Sequence, residues 1–209
     1  DSSIFSGKVS WWIKIFTGHN YLSNTWDDII QAAEDANEPG QFTAFIGYEW
    51  TSLDKGNNLH RVVMYRDNAD RAKMLEPFTA DAPGSTDPAE LWKWMDRYEE
   101  KTAGQVLAIA HNGNLSNGVM FPKTKTFKGR KLNKKHVETR AKRERLYEVT
   151  QIKGDGETHP FLSKNDEFAD YETWDQGNLD LSALKKNEML KGEYARSALK
   201  TGLELEKKL

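Results

Sequence analysis

Cysteine is absent from the 209 residues of the chain, and its absence narrows the chemistry that the protein can use. It excludes disulfides, thiolate metal sites and a cysteine nucleophile. It leaves the compartment open, because a chain without cysteine suits the cytoplasm and the periplasm equally. Any metal ion must be held by oxygen and imidazole ligands. Histidine is scarce, and the five that occur are His19, His60, His111, His136 and His159.

Long apolar runs and a strong net charge are missing too. No stretch reaches the length of a membrane-spanning helix, so no membrane span is expected. The 30 basic and 32 acidic residues leave a formal net charge of -2, which gives no general attraction to nucleic acid. The length suits one domain.

Apolar runs between loop-forming residues predict four strands. They lie at residues 42–48, 61–65, 106–110 and 146–152. Helices are predicted between and after these strands, so the pattern indicates an α/β fold.

The predicted helices have recognisable ends. Thr25 is a suitable N-cap for a helix that runs to about Asn37. Asp87 begins the next helix with a proline after it and a capping-box glutamate, and Gly104 ends it. Its apolar face consists of Leu91, Trp94, Met95 and Tyr98. The last part of the chain, residues 181–209, predicts two helices broken near glycine.

Three polar side chains stand at ends of the predicted strands. Glu49 follows the first strand, His60 opens the second and His111 follows the third. If the first two strands run back to back, Glu49 and His60 emerge at the same edge of the sheet. A carboxylate and imidazoles are ordinary ligands for zinc, manganese or iron. The alternative is a Glu–His hydrogen bond that only fixes the loop.

The residues after His111 form a run rich in glycine and asparagine, residues 112–118. Such a loop can adopt unusual backbone angles and approach a ligand closely. Asn112 and Asn114 are therefore candidates for substrate contact. The alternative is a capped turn in which the histidine is incidental.

The remaining candidates carry weaker signals. Asp155, Glu157 and His159 alternate, so an extended chain would turn them to one side; a solvated loop is the alternative. His136 lies among lysines and arginines, which indicates a solvated basic helix face rather than a phosphate-binding patch. His19 has no supporting neighbours.

Six runs of the sequence resemble a large bacterial family of uncharacterised proteins related to the PHP (polymerase and histidinol phosphatase) phosphoesterases. They are residues 45–52, 56–61, 110–118, 148–155, 157–160 and 165–170. The resemblance covers nearly all of the chain from about Trp26 onward.

The resemblance implies an incomplete, distorted TIM-like (β/α)₇ barrel. It also implies two or three divalent ions in the complete protein, with Glu49, His60 and His111 as ligands. The family's His-x-His, Asp-His and Asp-x-His motifs do not occur in the sequence. We therefore expect residues 1–209 to be one partial domain, an internal piece with exposed faces near residues 42–48 or 146–152.

The implied function is metal-dependent hydrolysis of a phosphoester or related bond by a metal-activated water. The implied partner is a small-molecule substrate, such as a phosphorylated one. Glu49, His111 and Lys153 are the expected catalytic residues. The candidate substrate-binding residues are Arg61, Asn112, Asn114, Glu157 and His159. Two alternatives are a glycoside hydrolase that uses Glu49 and Glu148 as its two carboxylates, and a ligand-binding module without catalysis.

Overall fold

The computed structural model describes residues 21–209, and His19 lies outside them. In the described part, the α-helices are α1 (Tyr21–Ala36), α2 (Ala69–Ala72), α3 (Pro88–Thr102), α4 (Lys134–Arg143) and α5 (Ala195–Lys208). The strands are β1 (Gly47–Trp50), β2 (Leu53–Asp54), β3 (Asn57–Asn58), β4 (Arg61–Tyr65), β5 (Val106–Ala110), β6 (Leu146–Tyr147), β7 (Thr150–Gln151) and β8 (Gly154–Asp155). None of these helices is long and apolar enough to cross a membrane.

The largest sheet has four strands in the order β1-β4-β5-β6. Strand β4 is antiparallel to both β1 and β5, and only β5 and β6 are parallel. Two small hairpins, β2-β3 and β7-β8, stand apart from it. The fold in residues 21–209 is therefore mixed α/β.

The predicted TIM-like barrel is wrong. A (β/α) barrel needs parallel neighbours joined by crossover helices, whereas β1 reaches β4 through the short β2-β3 hairpin and pairs with it antiparallel. Four strands, one of them two residues long, do not close on themselves. The alternation of apolar runs and helices in the sequence did not reveal the direction of pairing.

One face of the four-stranded sheet carries the hydrophobic core. Helices α1 and α3 supply apolar side chains to it, among them the four predicted on the apolar face of α3, all of which are buried. Trp26 and Trp92 are buried in the same core. Aromatic rings cross edge to face in the centre, for example Tyr65 and Tyr98 at 5.1 Å between centroids.

Helix α3 begins as predicted and ends slightly differently. The Asp87 side chain accepts a hydrogen bond from the Ala89 backbone N–H at 2.9 Å, which confirms the N-cap. Glu90 does not complete a capping box, since its carboxylate pairs with Lys93 and Lys128. At the other end, Ala103 adopts the left-handed conformation and caps the helix one residue before the predicted glycine.

Other predicted boundaries shift because the strands are shorter than the apolar runs. The first strand begins at Gly47, so Glu49 lies within it, and Phe42 and Phe45 before it are exposed. The fourth run forms only β6 before the chain turns into the β7-β8 hairpin, where Gly154 has a φ of 101°. Thr25 lies inside α1. Residues 181–209 contain one α-helix, α5, after a 3-10 turn at Leu190–Gly192.

Candidate metal centre

The register of three strands places three ligand side chains on one face of the sheet. Glu49 lies opposite Val62, and Val62 lies opposite Ile109. Residues directly opposite each other share a face, and the side-chain period along a strand is two. His60 precedes Val62 by two residues and His111 follows Ile109 by two. All three ligands therefore lie on the same face and at the same edge.

The side chains meet in the way that this register requires. Glu49 Oε1 lies 2.9 Å from His60 Nδ1 and 3.0 Å from His111 Nε2. The three ligand atoms all lie within 4.8 Å of one another. The two imidazole rings cross at 79°, with 5.8 Å between their centroids. The sequence predicted this convergence, and we call these residues the triad.

The histidines of the triad are buried and incompletely hydrogen-bonded. His60 is 6% exposed and His111 is 4% exposed. His60 Nε2 and His111 Nδ1 have no hydrogen-bond partner. The close polar contact of His60 Nδ1 is Glu49 Oε1, at 2.9 Å. Buried polar atoms without partners are rare and invite an explanation.

The electrostatics keep His60 in the form that binds cations. Burial lowers the pKa of His60 to about 4, and the charges of His111 and Lys153 act in the same direction against the attraction of Glu49. The imidazole of His60 is therefore neutral near pH 7, and a neutral imidazole nitrogen is the metal-ligating form. Glu49 has a half-exposed side chain, so the triad is open to solvent on that side.

This donor set fits a divalent metal ion. Two imidazole nitrogens and one carboxylate oxygen suit zinc, manganese or iron. Tetrahedral bonds of about 2 Å put neighbouring ligand atoms roughly 3.3 Å apart, so Glu49 Oε1, now 2.9 and 3.0 Å from the two imidazole nitrogens, would move slightly away from them. Three protein ligands with an open side are typical of catalytic zinc sites, whereas structural sites have four. A hydrogen-bonded Glu–His–His cluster is the alternative arrangement of the same side chains.

The loop after His111 is held in an unusual backbone conformation. Asn112 has φ 49° and ψ 45°, in the left-handed region. The Asn58 amide donates to the backbone oxygens of His111 and Asn112 at 2.8 and 3.0 Å. The Gly113 N–H donates to the Tyr147 hydroxyl at 2.9 Å. A Cβ atom at Gly113 would lie 2.3 Å from the Glu193 backbone oxygen, so glycine is required there.

A buried ion pair from the far end of the chain holds the same loop. Lys185 Nζ lies 2.7 Å from Glu193 Oε1 and donates to the Asn114 backbone oxygen at 2.7 Å. Glu193 also accepts hydrogen bonds from the backbone of Asn117 and Gly118. Sequence reasoning missed this clamp, since nothing in the pattern links residues about 70 positions apart.

Lys153, predicted as a catalytic residue, lies close enough to the triad for its charge to act on His60. Its backbone oxygen accepts a hydrogen bond from the Asn114 amide at 3.0 Å. Its ammonium is near enough to lower the pKa of His60. Asn114 and Lys153 are thus tied to each other, and Asn114 lies in the loop that follows His111.

Arg61 points away from the triad. It directly follows His60, so strand alternation turns it to the opposite face of the sheet. There its guanidinium is buried, lies over Trp50 and pairs with Glu144 at 3.0 Å. The prediction that Arg61 contacts substrate is not supported by this placement, because its charge is neutralised inside the core.

Glu157 and His159 have partners of their own. Glu157 pairs with Arg196 at 2.7 Å, and His159 Nε2 lies 2.8 Å from Asp175 Oδ1. These contacts hold the segment after β8 in place and give no sign of a substrate role. His136 packs against the Trp92 ring, with 5.1 Å between the ring centroids, and is half buried.

A protein-family model described as "Protein of unknown function (DUF3604)" matches residues 7–209. No curated protein matches the chain, and no solved structure matches it. The match agrees with the predicted membership of a family of unknown function. It provides no link to the PHP phosphoesterases.

Proposed function

The chain belongs to the DUF3604 family, and we propose that it is a metal-dependent hydrolase whose divalent ion is held by Glu49, His60 and His111. The observation that carries the proposal is the convergence of three ligand atoms within 4.8 Å, two of them on buried imidazoles. Within residues 21–209 this is the one group of three such side chains, so we propose one ion at this place. The further ions that the resemblance implies would need other ligands.

The metal would supply the chemistry that the side chains lack. A bound divalent ion lowers the pKa of a coordinated water towards neutrality and acts as a Lewis acid on the substrate. Glu49 is the ligand whose carboxylate can move during the reaction, because its side chain is half exposed while both histidines are fixed by burial. The fixed histidines keep the ligand geometry constant while substrate enters from the open side.

The proposed substrate carries a phosphoester or a related anionic group. Lys153 provides a positive charge beside His60, and a cation near the reacting centre stabilises negative charge that develops in the transition state. The phosphoester assignment itself comes from the resemblance of the sequence, and the charge of Lys153 is consistent with it.

Titration with zinc, measured by calorimetry, tests the metal site. We expect one zinc ion per chain. His60→Ala, His111→Ala and Glu49→Ala should each weaken binding by more than the roughly 10- to 100-fold that loss of an outer-shell partner costs. His136→Ala is the matched control, since His136 packs against Trp92, and it should bind zinc as the unaltered chain does.

Hydrolysis of p-nitrophenyl phosphate and bis(p-nitrophenyl) phosphate tests the enzymatic part. Turnover should need added zinc or manganese, stop after exhaustive chelation and return when metal is restored. Turnover that survives chelation would contradict the proposal and favour the two-carboxylate alternative with Glu49 and Glu148. Tight zinc binding without hydrolysis of either ester would indicate a metal-binding module instead.

A further inference from the structure

Positive charge in the chain is concentrated in one exposed segment. Residues 121–135 contain seven lysines and arginines and no aspartate or glutamate, although the formal net charge of the whole chain is -2. The middle of the segment forms a hairpin, with an antiparallel bridge between Lys125 and Lys131 and a turn at Gly129, where φ is 74°. We call residues 124–132 the basic hairpin. The net charge of the chain hides this local excess.

The basic hairpin presents its cations to solvent. The Leu132 N–H donates to the Thr124 backbone oxygen at 2.9 Å, and the Leu132 side chain is buried, so one face of the hairpin packs on the protein. Side chains alternate along a strand, which turns Lys125 and Lys131 to the other face, and both are exposed. Phe127 lies in the turn and is 37% exposed. The outer surface therefore combines positive charge with an aromatic ring.

The placement of these cations opposes folding. Lys125 and Lys131 lie directly opposite each other, and like charges in a cross-strand pair are destabilising. Lys134 and Lys135 occupy the first turn of α4, which contains no acidic residue, and the helix dipole disfavours cations there. A sequence breaks such local rules mainly where function requires it. A negatively charged partner would replace both repulsions with attraction.

Ion pairs fix the segment to the rest of the protein and leave the outer cations free. Lys128 Nζ lies 2.9 Å from Glu90 Oε1 in α3, and Lys123 Nζ lies 2.6 Å from Glu204 Oε2 in α5. These contacts hold the basic hairpin in one position. Within residues 21–209, the cations of the segment that form no ion pair are Lys125, Arg130, Lys131 and Lys135.

We propose that the basic hairpin docks the protein on an anionic phospholipid surface. Lysines and arginines close to such a surface are attracted by its headgroups, and the exposed Phe127 ring would enter the headgroup region, as the apolar residues of interfacial segments do. A bilayer surface meets the cations and the ring together, whereas a partner that offers only negative charge leaves the ring in water. The inference goes beyond the proposed hydrolysis and does not depend on the metal ion.

Co-sedimentation with lipid vesicles tests the proposal. The chain should bind vesicles in which about a third of the lipid is phosphatidylserine and the rest phosphatidylcholine, and it should stay in solution with phosphatidylcholine alone. Binding should weaken when NaCl is raised from about 0.1 to about 0.5 M, because salt screens exposed charges. Equal sedimentation with both kinds of vesicle, or sedimentation with neither, would overturn the proposal.

Variants test whether the basic hairpin carries the binding. Lys125→Gln combined with Lys131→Gln should weaken binding to the phosphatidylserine vesicles roughly 30-fold, since each cation near the surface contributes about fivefold. The control combines Lys164→Gln with Lys186→Gln, which removes the same charge at two exposed lysines and should change the affinity by less than about twofold. Phe127→Ala should weaken binding and keep its salt dependence, because the ring carries no charge. Equal losses in the two double variants would contradict the proposal.

The free energy of unfolding in urea separates a docking role from a structural one. The variant that combines Lys125→Gln with Lys131→Gln should be at least as stable as the unaltered chain, because it loses a repulsive pair. A clear loss of stability in that variant would show that the two lysines support the fold, and the argument for a partner would fail.

A nucleic acid is the competing polyanion, and a binding measurement with oligonucleotides distinguishes it from lipid. We expect single- and double-stranded oligonucleotides to bind more weakly than the phosphatidylserine vesicles. An oligonucleotide that binds more tightly than the vesicles, and that loses its affinity in Lys125→Gln with Lys131→Gln, would assign the basic hairpin to nucleic acid and overturn the lipid proposal.

Discussion

Glu49 Oε1 and His111 Nε2 lie 3.0 Å apart although the residues are separated by 62 positions in the sequence. The contact follows from backbone pairing, because β4 is antiparallel to both β1 and β5 and so brings the end of β1 and the end of β5 to one edge. His60, at the start of β4, completes the group. This edge of the sheet is where we expect the metal ion, and the loop after His111 is fixed beside it.

The clamp on the loop after His111 is the first feature to test. Lys185→Met would leave the fully buried Glu193 carboxylate without its cation. Breaking a buried pair in this way costs about 3–5 kcal/mol, so the free energy of unfolding in urea should fall by about that much. Zinc affinity should fall as well, since Lys185 also holds the Asn114 backbone oxygen. The neighbouring Lys186 is exposed, and Lys186→Met should leave both quantities unchanged. A loss of stability below about 1 kcal/mol in Lys185→Met would show that the clamp is dispensable.

The buried pair on the opposite face predicts a dependence of stability on pH. Burial alone would raise the pKa of Glu144, but Arg61 and Arg140 outweigh it and hold the pKa at about 2, below the ordinary value of 4.5. A carboxylate with a lowered folded-state pKa stabilises the fold above the unfolded pKa and loses that contribution as pH falls through the folded one. The stabilisation should therefore be complete above about pH 4.5 and decline towards pH 2.

Glu144→Gln tests this dependence through the free energy of unfolding measured from pH 7 to pH 2. The variant should be less stable by about 3 kcal/mol at pH 7, and its difference from the unaltered chain should shrink as pH falls below 4.5. Glu138 lies exposed within α4, six residues before Glu144, and its ion pair is with Lys134 at 3.9 Å. Glu138→Gln should change the curve little. A difference for Glu144→Gln that stays constant down to pH 2 would refute the assignment.

Lys153 should affect the substrate and not the metal. Lys153→Met removes a positive charge beside His60, so zinc affinity should rise slightly, by less than about tenfold. Turnover of p-nitrophenyl phosphate should fall by about a hundredfold, as expected when a group that stabilises developing negative charge is lost. Lys164 is exposed, and Lys164→Met is the matched control. A loss of zinc affinity in Lys153→Met would mean that Lys153 supports the triad structurally.

The sequence predicted the triad because its signals are local. Strands 61–65 and 106–110 have the bounds that the structure shows, and polar residues at the ends of apolar runs mark the edge of a sheet. The apolar face of α3 follows from its helical period in the same way. Each of these inferences needs only residues within a few positions of one another.

The barrel prediction was wrong because an apolar run does not show whether a strand pairs with its neighbours in parallel or antiparallel. Strand β4 is antiparallel to β1 because a short hairpin connects them, whereas the resemblance implied parallel strands. The Lys185–Glu193 clamp likewise depends on tertiary contacts that no spacing encodes. The position of Arg61 was accessible from the sequence, since a residue adjacent to His60 in a strand must face the other way.

X-ray absorption at the zinc edge of the zinc-loaded protein shows whether Glu49, His60 and His111 hold the ion. We expect a first shell with two imidazole nitrogens and at least one oxygen at about 2.0–2.2 Å. The imidazole signal should fall to one ring in His111→Ala and stay at two in His136→Ala. A first shell without histidine, or one that His111→Ala leaves unchanged, would contradict this expectation and show that Glu49, His60 and His111 form a hydrogen-bonded cluster rather than a metal site.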